Sequence, residues 1–444
     1  MPQEHRGERA TLVQGLGPIA TVALVAGNIV GSGIFVIPAS LAEVAGPVSL
    51  FAWVIVAAGY LCLTAVYADL VGAYPISGGL QIYAQRAFGD LAGIVTAFLY
   101  WISCVIGNAA FVTAFVGYFR VFFPAFEQPL AAFLLAQALL WALTAVNVGG
   151  VRAGGAVQVV TTIGKLVPLG ILAVALLAAG STTHLRPFAP HGPGAIFPAI
   201  SLIAWLFLGA ESATVPAEEV RGAGRTLRRA AYAGYLLAAG MYLLMAFALA
   251  VGVPGSEIAG TASPLAVAAR RVMGPGGEVF VTVGALISTA GILNGWLLVT
   301  GRLPFAAARQ NLAPAWLGRI HSRTGTPALS LVLSSALSSV LVLLYFQRTL
   351  LEAYNFIALA STAAALVAIA IACAGLIRLA RREPDRFSPA QRRRAPVMGL
   401  AGLAIVALMI AGSGTVVLLC TLVAMAFPVA YGLWLRRRRA RSET

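Results

Sequence analysis

Long stretches without a single charge recur along this chain. Ala230 to Ser256, Val279 to Gly301 and Ala353 to Ile377 are three of them, and each exceeds the roughly 20 residues a helix needs to cross a bilayer. Inside lipid every backbone N–H and C=O must be bonded within its own segment, so such stretches fold as helices. The composition agrees: 60% of residues are hydrophobic and 10% charged, a balance that water-soluble domains do not show. The sequence therefore predicts an all-α polytopic membrane protein of about twelve spans. They are placed near 12–45, 47–73, 90–122, 129–147, 153–181, 195–218, 228–253, 277–301, 327–346, 353–377, 396–412 and 414–435. The polar N-terminus carries no cleavable signal pattern, so the first span is expected to stay in place.

A net charge of +15 would suit a nucleic-acid partner, but the arginines cluster at the ends of spans, which is how orientation in a bilayer is encoded. With the N-terminus in the cytoplasm, 24 arginines fall on the inner side and 5 on the outer. The expectation is a multi-pass protein of the inner (plasma) membrane, with both termini cytoplasmic and no nucleic acid bound. Cys62, Cys104, Cys373 and Cys420 lie within apolar spans, and His5, His184, His191 and His321 lie in loops or the tail. Neither set forms a disulfide framework or a metal site, so no metal, cofactor or catalytic residue is expected.

Of the thirty basic residues, twenty-nine are arginine and one is lysine. That lysine, Lys165, falls near the middle of the otherwise charge-free run from Ala153 to Gly180. A desolvated lysine can release its proton and an arginine cannot, and an ionisable group at membrane depth is a functional candidate by default. Two spans are also interrupted. The first contains Gly27-Asn28-Ile29-Val30-Gly31-Ser32-Gly33; the sixth, five spans later, contains Gly209-Ala210-Glu211. Paired glycine interruptions point to a transporter built from inverted repeats, with substrate held at the broken helices. Glu211 must be paired, protonated or hydrated there. Glu218, Glu219 and Asp69 read instead as solvated charges near a cytoplasmic gate, the two glutamates beside the Arg221–Arg229 cluster. On the third span, Tyr100, Ser103, Cys104, Gly107 and Asn108 share one polar helix face.

Gly27 to Phe35 followed by Pro38, the loop Pro75-Ile76-Ser77-Gly78-Gly79, Tyr100-Trp101 through Gly107-Asn108, Trp205 through Ser212 and Gly295-Trp296 resemble the amino acid–polyamine–organocation superfamily. More narrowly they resemble its basic amino acid/polyamine antiporter branch. The resemblance runs from about residue 12 to the C-terminus. It implies a first five-helix repeat over 12–181, an inverted second over 195–377 and two further spans over 396–435, between tails at 1–11 and 436–444. It also implies that backbone groups from Ile29 through Ser32 to Gly33 hold the substrate carboxylate and amine. The side chains implied to face the substrate are Tyr100, Ser103, Cys104, Asn108, Trp205, Leu208, Ser361 and Trp296, the last stacking on a cationic group. Lys165 departs from the arginine/agmatine type, which has an apolar residue there. Other superfamily members place a lysine at this position, where sodium sits in sodium-coupled relatives.

The function expected is secondary active transport by alternating access, as antiport of a cationic arginine-, agmatine- or lysine-like substrate. Glu211 and Lys165 are the candidates for proton coupling or gating. No carboxylate is obviously placed to pair a guanidinium, so proton-coupled symport of a neutral amino acid through Lys165 stays open, as does a channel or receptor-like sensor. The partners expected are an amino acid or amine, protons, the bilayer and, as a further option, a second copy in a homodimer.

Overall fold

The protein's structure, a computed structural model, describes residues 17–215, 217, 220, 222–345 and 350–442. Glu218, Glu219 and Arg221, the N-terminal tail and Arg348 lie outside the described residues. Helices form along the apolar runs and stop where glycine, proline or polar residues cannot continue them. They are α1 Pro18–Ile29, α2 Ser32–Val44, α3 Ser49–Ala73, α4 Leu80–Phe88, α5 Asp90–Phe119, α6 Pro129–Gly149 and α7 Val151–Ala178. After these come α8 Ile196–Phe207, α9 Ala223–Gly252, α10 Gly255–Ile258, α11 Pro264–Arg309, α12 Ala328–Tyr345, α13 Leu350–Arg382, α14 Pro389–Ala411 and α15 Thr415–Ser442. Among the described residues, ten helical segments are long and apolar enough to span a bilayer, and Pro193–Phe207 and Ala328–Leu343 are shorter apolar helices. The two short segments belong to the sixth and ninth expected spans.

Several boundaries differ from the sequence reading, each for a local reason. Gly274 at φ 72 kinks α11, and the eighth span runs on from there to Arg309. Arg302, read as a loop residue, is therefore inside a helix; it is buried and its Nη1 donates to Leu298 O at 3.0 Å, one turn back. The eleventh span starts at Pro389 rather than 396, because Ser388 and Gln391 form a reciprocal cap: Ser388 N donates to Gln391 Oε1 (2.8 Å) and Gln391 N to Ser388 Oγ (3.3 Å), two orphan donors satisfied at once. The arginine run expected as a tail is helical and continues α15 to Ser442.

That early start of α14 explains a second correction. Asp69 was expected to be solvated, yet it is fully buried. It accepts from Gln391 Nε2 (2.8 Å) and Arg394 Nε (2.9 Å) on α14, and Arg228 Nη2 on α9 lies 3.8 Å away. A buried carboxylate needs such partners, and here they tie α3, α9 and α14 together.

The first span is the most enclosed: 83% of its apolar window is buried, against 22% for α6 and α15. It therefore forms the centre of the bundle, while outer helices present residues such as Leu130 and Val423 to the surroundings. Such faces would be a liability in water and are solvated by lipid tails in a membrane. α1 packs on α7 and α9, and α2 packs on α8 and α11. The break between α1 and α2 is thus ringed by other helices.

Candidate functional site

The first break follows directly from the glycine spacing. Val30 N donates to Ala26 O (2.8 Å) and closes α1; Gly31, at φ −134 and ψ −145, leaves the helix, and α2 starts at Ser32. Ser32 and Gly33 thus stand in the first turn of a half-helix, where N–H groups have no carbonyl one turn back and the dipole favours an anion. The carbonyls freed on the other side are taken by side chains from three helices. Lys165 Nζ on α7 donates to Gly27 O and Val30 O, each at 2.7 Å. Trp296 Nε1 on α11 donates to Asn28 O (3.2 Å), and Tyr242 Oη on α9 donates to Ile29 O. Unwound backbone persists at membrane depth only when it is partnered in this way or lines a cavity.

The second break lies against the first. α8 ends at Phe207, and Gly209 turns the chain at φ 127. This conformation suits glycine, and space demands glycine as well: a Cβ there would sit 2.6 Å from Asn28 O. Asn28 Nδ2 donates to Ser212 Oγ (3.0 Å), and Ser212 Oγ donates to Gly209 O (2.6 Å). Glu211, fully buried, folds back so that Gly209 N donates to Oε1 and Oε2 (3.2 and 3.1 Å), while Tyr100 Oη on α5 donates to Oε1 at 3.0 Å.

Ile29, Gly33, Phe111, Trp205, Leu208 and Trp296 wall a small cavity between the breaks. Its free volume is about 10 Å³, room for roughly one water molecule, so it does not accommodate an amino acid in this conformation. Phe111 stacks on Trp205 at 5.5 Å and tilts towards Trp296 at 6.3 Å. Trp205 Nε1 donates to Tyr354 Oη (2.9 Å), which shares a 2.8 Å hydrogen bond with Ser32 Oγ.

The remaining expected site residues stand beside this cavity rather than in its wall. Ser361 Oγ on α13 donates to Ser103 O (2.8 Å) and lies 3.1 Å from Ser103 Oγ. Cys104 is buried on the same face of α5. Asn108 Nδ2 donates to Thr300 Oγ1 (3.3 Å), while Asn108 Oδ1 and Asn28 Oδ1 are buried with no partner among the described residues. Gly107 brings this face against the wall: a Cβ there would sit 3.1 Å from the Trp205 ring and 3.4 Å from Ser361 Oγ.

Sequence reasoning gave no role to Asn28, Phe111, Tyr242 or Tyr354. Phe111 continues the polar face of α5 at helical spacing, three residues after Asn108, and an aromatic there gave no polar signal. Tyr242 and Tyr354 lie in charge-free runs, where a hydroxyl must find a partner; that requirement was the available clue.

Comparison with known proteins places this architecture. A family model described as amino acid permease matches residues 16–439. The arginine/ornithine antiporter of Pseudomonas aeruginosa is 31% identical over 345 residues, covering 74% of this chain and 70% of that protein. The cadaverine/lysine antiporter of Escherichia coli K12 is 31% identical over 339 residues, 74% of each chain. The arginine/ornithine antiporter of Latilactobacillus sakei is 29% identical over 381 residues, 82% of this chain and 78% of that protein. With its spans, its two facing helix breaks and a family match over nearly its whole length, this chain belongs to the amino acid permease family of the amino acid–polyamine–organocation superfamily, whose members are membrane transporters and not enzymes.

Proposed function

We propose that this protein is a secondary antiporter that exchanges a cationic amino acid for a related amino acid or amine, by alternating access around the cavity between the two helix breaks. The observation that carries this reading is the meeting of a half-helix N-terminus at Ser32–Gly33 with an aromatic wall. The first suits a carboxylate. The second, Trp205, Phe111 and Trp296, suits the flat or cationic end of a longer side chain. The unpartnered oxygen of Asn28, which lines the cavity, adds a neutral acceptor for an ammonium or guanidinium. The named relatives exchange arginine with ornithine or lysine with cadaverine, in agreement with this reading. The test is counterflow: proteoliposomes preloaded with arginine, lysine or ornithine should take up labelled arginine faster than liposomes preloaded with alanine. Equal uptake from both sets would reject the cationic-substrate reading.

A second reading, proton-coupled symport of a neutral amino acid, is favoured by one observation: Lys165 fastens Gly27 O and Val30 O and so places a titratable group on the unwound segment. An inward pH gradient that drives net accumulation without counter-substrate would select this reading.

Beside Lys165, Glu211 is the second group proposed to respond to protons. Its Oε1 holds both Tyr100 and Gly209, whereas Oε2 meets Gly209 alone. A proton added at Oε2 therefore leaves the Tyr100 hydrogen bond in place and replaces one acceptor of the Gly209 N–H by a donor. Glu211→Gln keeps the shape and removes this exchange. Its transport rate is expected to vary little with pH over the range where the wild type responds; an unchanged profile would assign the response to another group. Trp296→Leu is expected to weaken apparent affinity for a cationic substrate about tenfold, the loss of one cation–π contact of order 1 kcal/mol together with the hydrogen bond to Asn28 O. A concentration series of counterflow rates measures this, and unaltered affinity would remove Trp296 from the binding wall.

A further inference from the structure

At the arginine-rich end of the bundle lies a feature that the transport site does not use. An apolar cavity of about 190 Å³ is walled by α5, α11 and α15, through Ile94, Phe98, Pro304, Ala307 and Phe427 among others. No lining side chain is charged. Such walls offer a water molecule no hydrogen bond; what they can make is dispersion contact with hydrocarbon. Towards the span ends this cavity adjoins a polar recess of about 610 Å³, and the two share Ala313, Pro314 and Tyr431.

The recess is walled by Gln85, Asp90, Gln310, Asn311, Arg438 and Arg439, among others. Arg439 pairs with Asp90 and donates from Nη2 to Asn311 O at 2.6 Å. Arg438 lies over the Trp434 ring, 5.5 Å from its centre. Along α15 the rings of Phe427, Tyr431 and Trp434 form a stacked column at 6.4 and 5.8 Å, which ends on Arg438. Phe427 and Trp434 are more than half exposed, and the column borders both spaces, Phe427 and Tyr431 lining the apolar cavity and Tyr431 and Trp434 the recess. The charged residues lining the recess are Asp90, Arg438 and Arg439, and since Asp90 pairs with Arg439, Arg438 leaves the recess an excess of positive charge.

We propose that these two spaces together form a binding site for an anionic glycerophospholipid, with its phosphate at Arg438 and an acyl chain in the apolar cavity. The adjoining of a hydrocarbon-lined space and a basic mouth at the depth of a span end matches the two ends of one lipid molecule. Free phosphate would leave the apolar half unused, and a zwitterionic headgroup would leave the excess charge uncompensated.

The experiment is native mass spectrometry of the detergent-purified protein with equimolar palmitoyl-oleoyl phosphatidylglycerol and phosphatidylcholine. The wild type is expected to retain phosphatidylglycerol about tenfold over phosphatidylcholine. Arg438→Gln, which leaves the Asp90–Arg439 pair intact, is expected to lower that retention about fivefold, one arginine near a lipid phosphate contributing at this scale. The charge-matched control Arg436→Gln, at an exposed position outside the recess, should leave it unchanged. Ala307→Phe, which fills the apolar cavity, should lower retention of both lipids. Equal retention of the two lipids by the wild type would overturn the proposal, as would a control that loses as much as Arg438→Gln. Displacement of the lipid by inorganic phosphate, or a dimer of this chain forming in place of the adduct, would also overturn it.

Discussion

Lys165→Ala is expected to abolish transport and to lower the melting temperature of the purified protein by several degrees. The ammonium serves two carbonyls, Gly27 O and Val30 O, at 2.7 Å each. Both belong to buried residues, and an unmet buried hydrogen-bonding group costs about 1–3 kcal/mol. Two such groups amount to a large fraction of the ~5–15 kcal/mol that holds a typical domain folded. Lys165→Arg separates structure from coupling. The guanidinium keeps a permanent charge and donors for the same carbonyls, but it does not release a proton. If Lys165 couples proton movement to the break in the first span, Lys165→Arg should exchange substrate across proteoliposomes and fail to accumulate it under a pH gradient. Exchange requires no return of an empty carrier, whereas accumulation does. Full pH-driven accumulation by Lys165→Arg would remove Lys165 from the coupling step and leave it as a brace alone.

Gly209→Ala should reduce uptake at least a hundredfold while leaving membrane insertion and the elution position on gel filtration unchanged. Two costs add at this position. The φ of 127 lies where a Cβ is strained by about 1–3 kcal/mol. The same Cβ would also sit 2.6 Å from Asn28 O and 2.7 Å from its carbonyl carbon. These are backbone atoms of the other break, so they cannot rotate aside, and the two breaks would have to part. Gly33→Ala provides the graded comparison. Its Cβ would meet the Leu206 side chain at 2.5 Å, and a leucine can change rotamer, so a partial loss is expected. Uptake by Gly209→Ala equal to the wild type would show that the breaks need not touch during transport.

Much of this architecture was legible in the sequence because lipid imposes a simple rule: backbone polar groups must bond within the segment, so charge-free runs become helices. The two breaks were legible because glycines and a carboxylate have no routine place in such runs. Long-range partnership was not legible. Nothing in the linear order of residues shows that Tyr242 lies beside Ile29, or that Asp69 is buried beneath Arg394. In the latter case the clue was local and was passed over: Ser388 and Gln391 begin a helix seven residues before the apolar run, and that extra length carries Gln391 and Arg394 to Asp69.

Four successive carbonyls of the first span, Gly27 to Val30, are each held by a donor from α7, α9 or α11. A small tilt of the span that loosened one of them would strand a single acceptor in a dry interior and gain nothing in return. A larger rotation that opens a path for water rehydrates all four together. In the alternating-access cycle proposed above, half-turned positions of this span would therefore be the costly ones, each leaving a buried acceptor unmet.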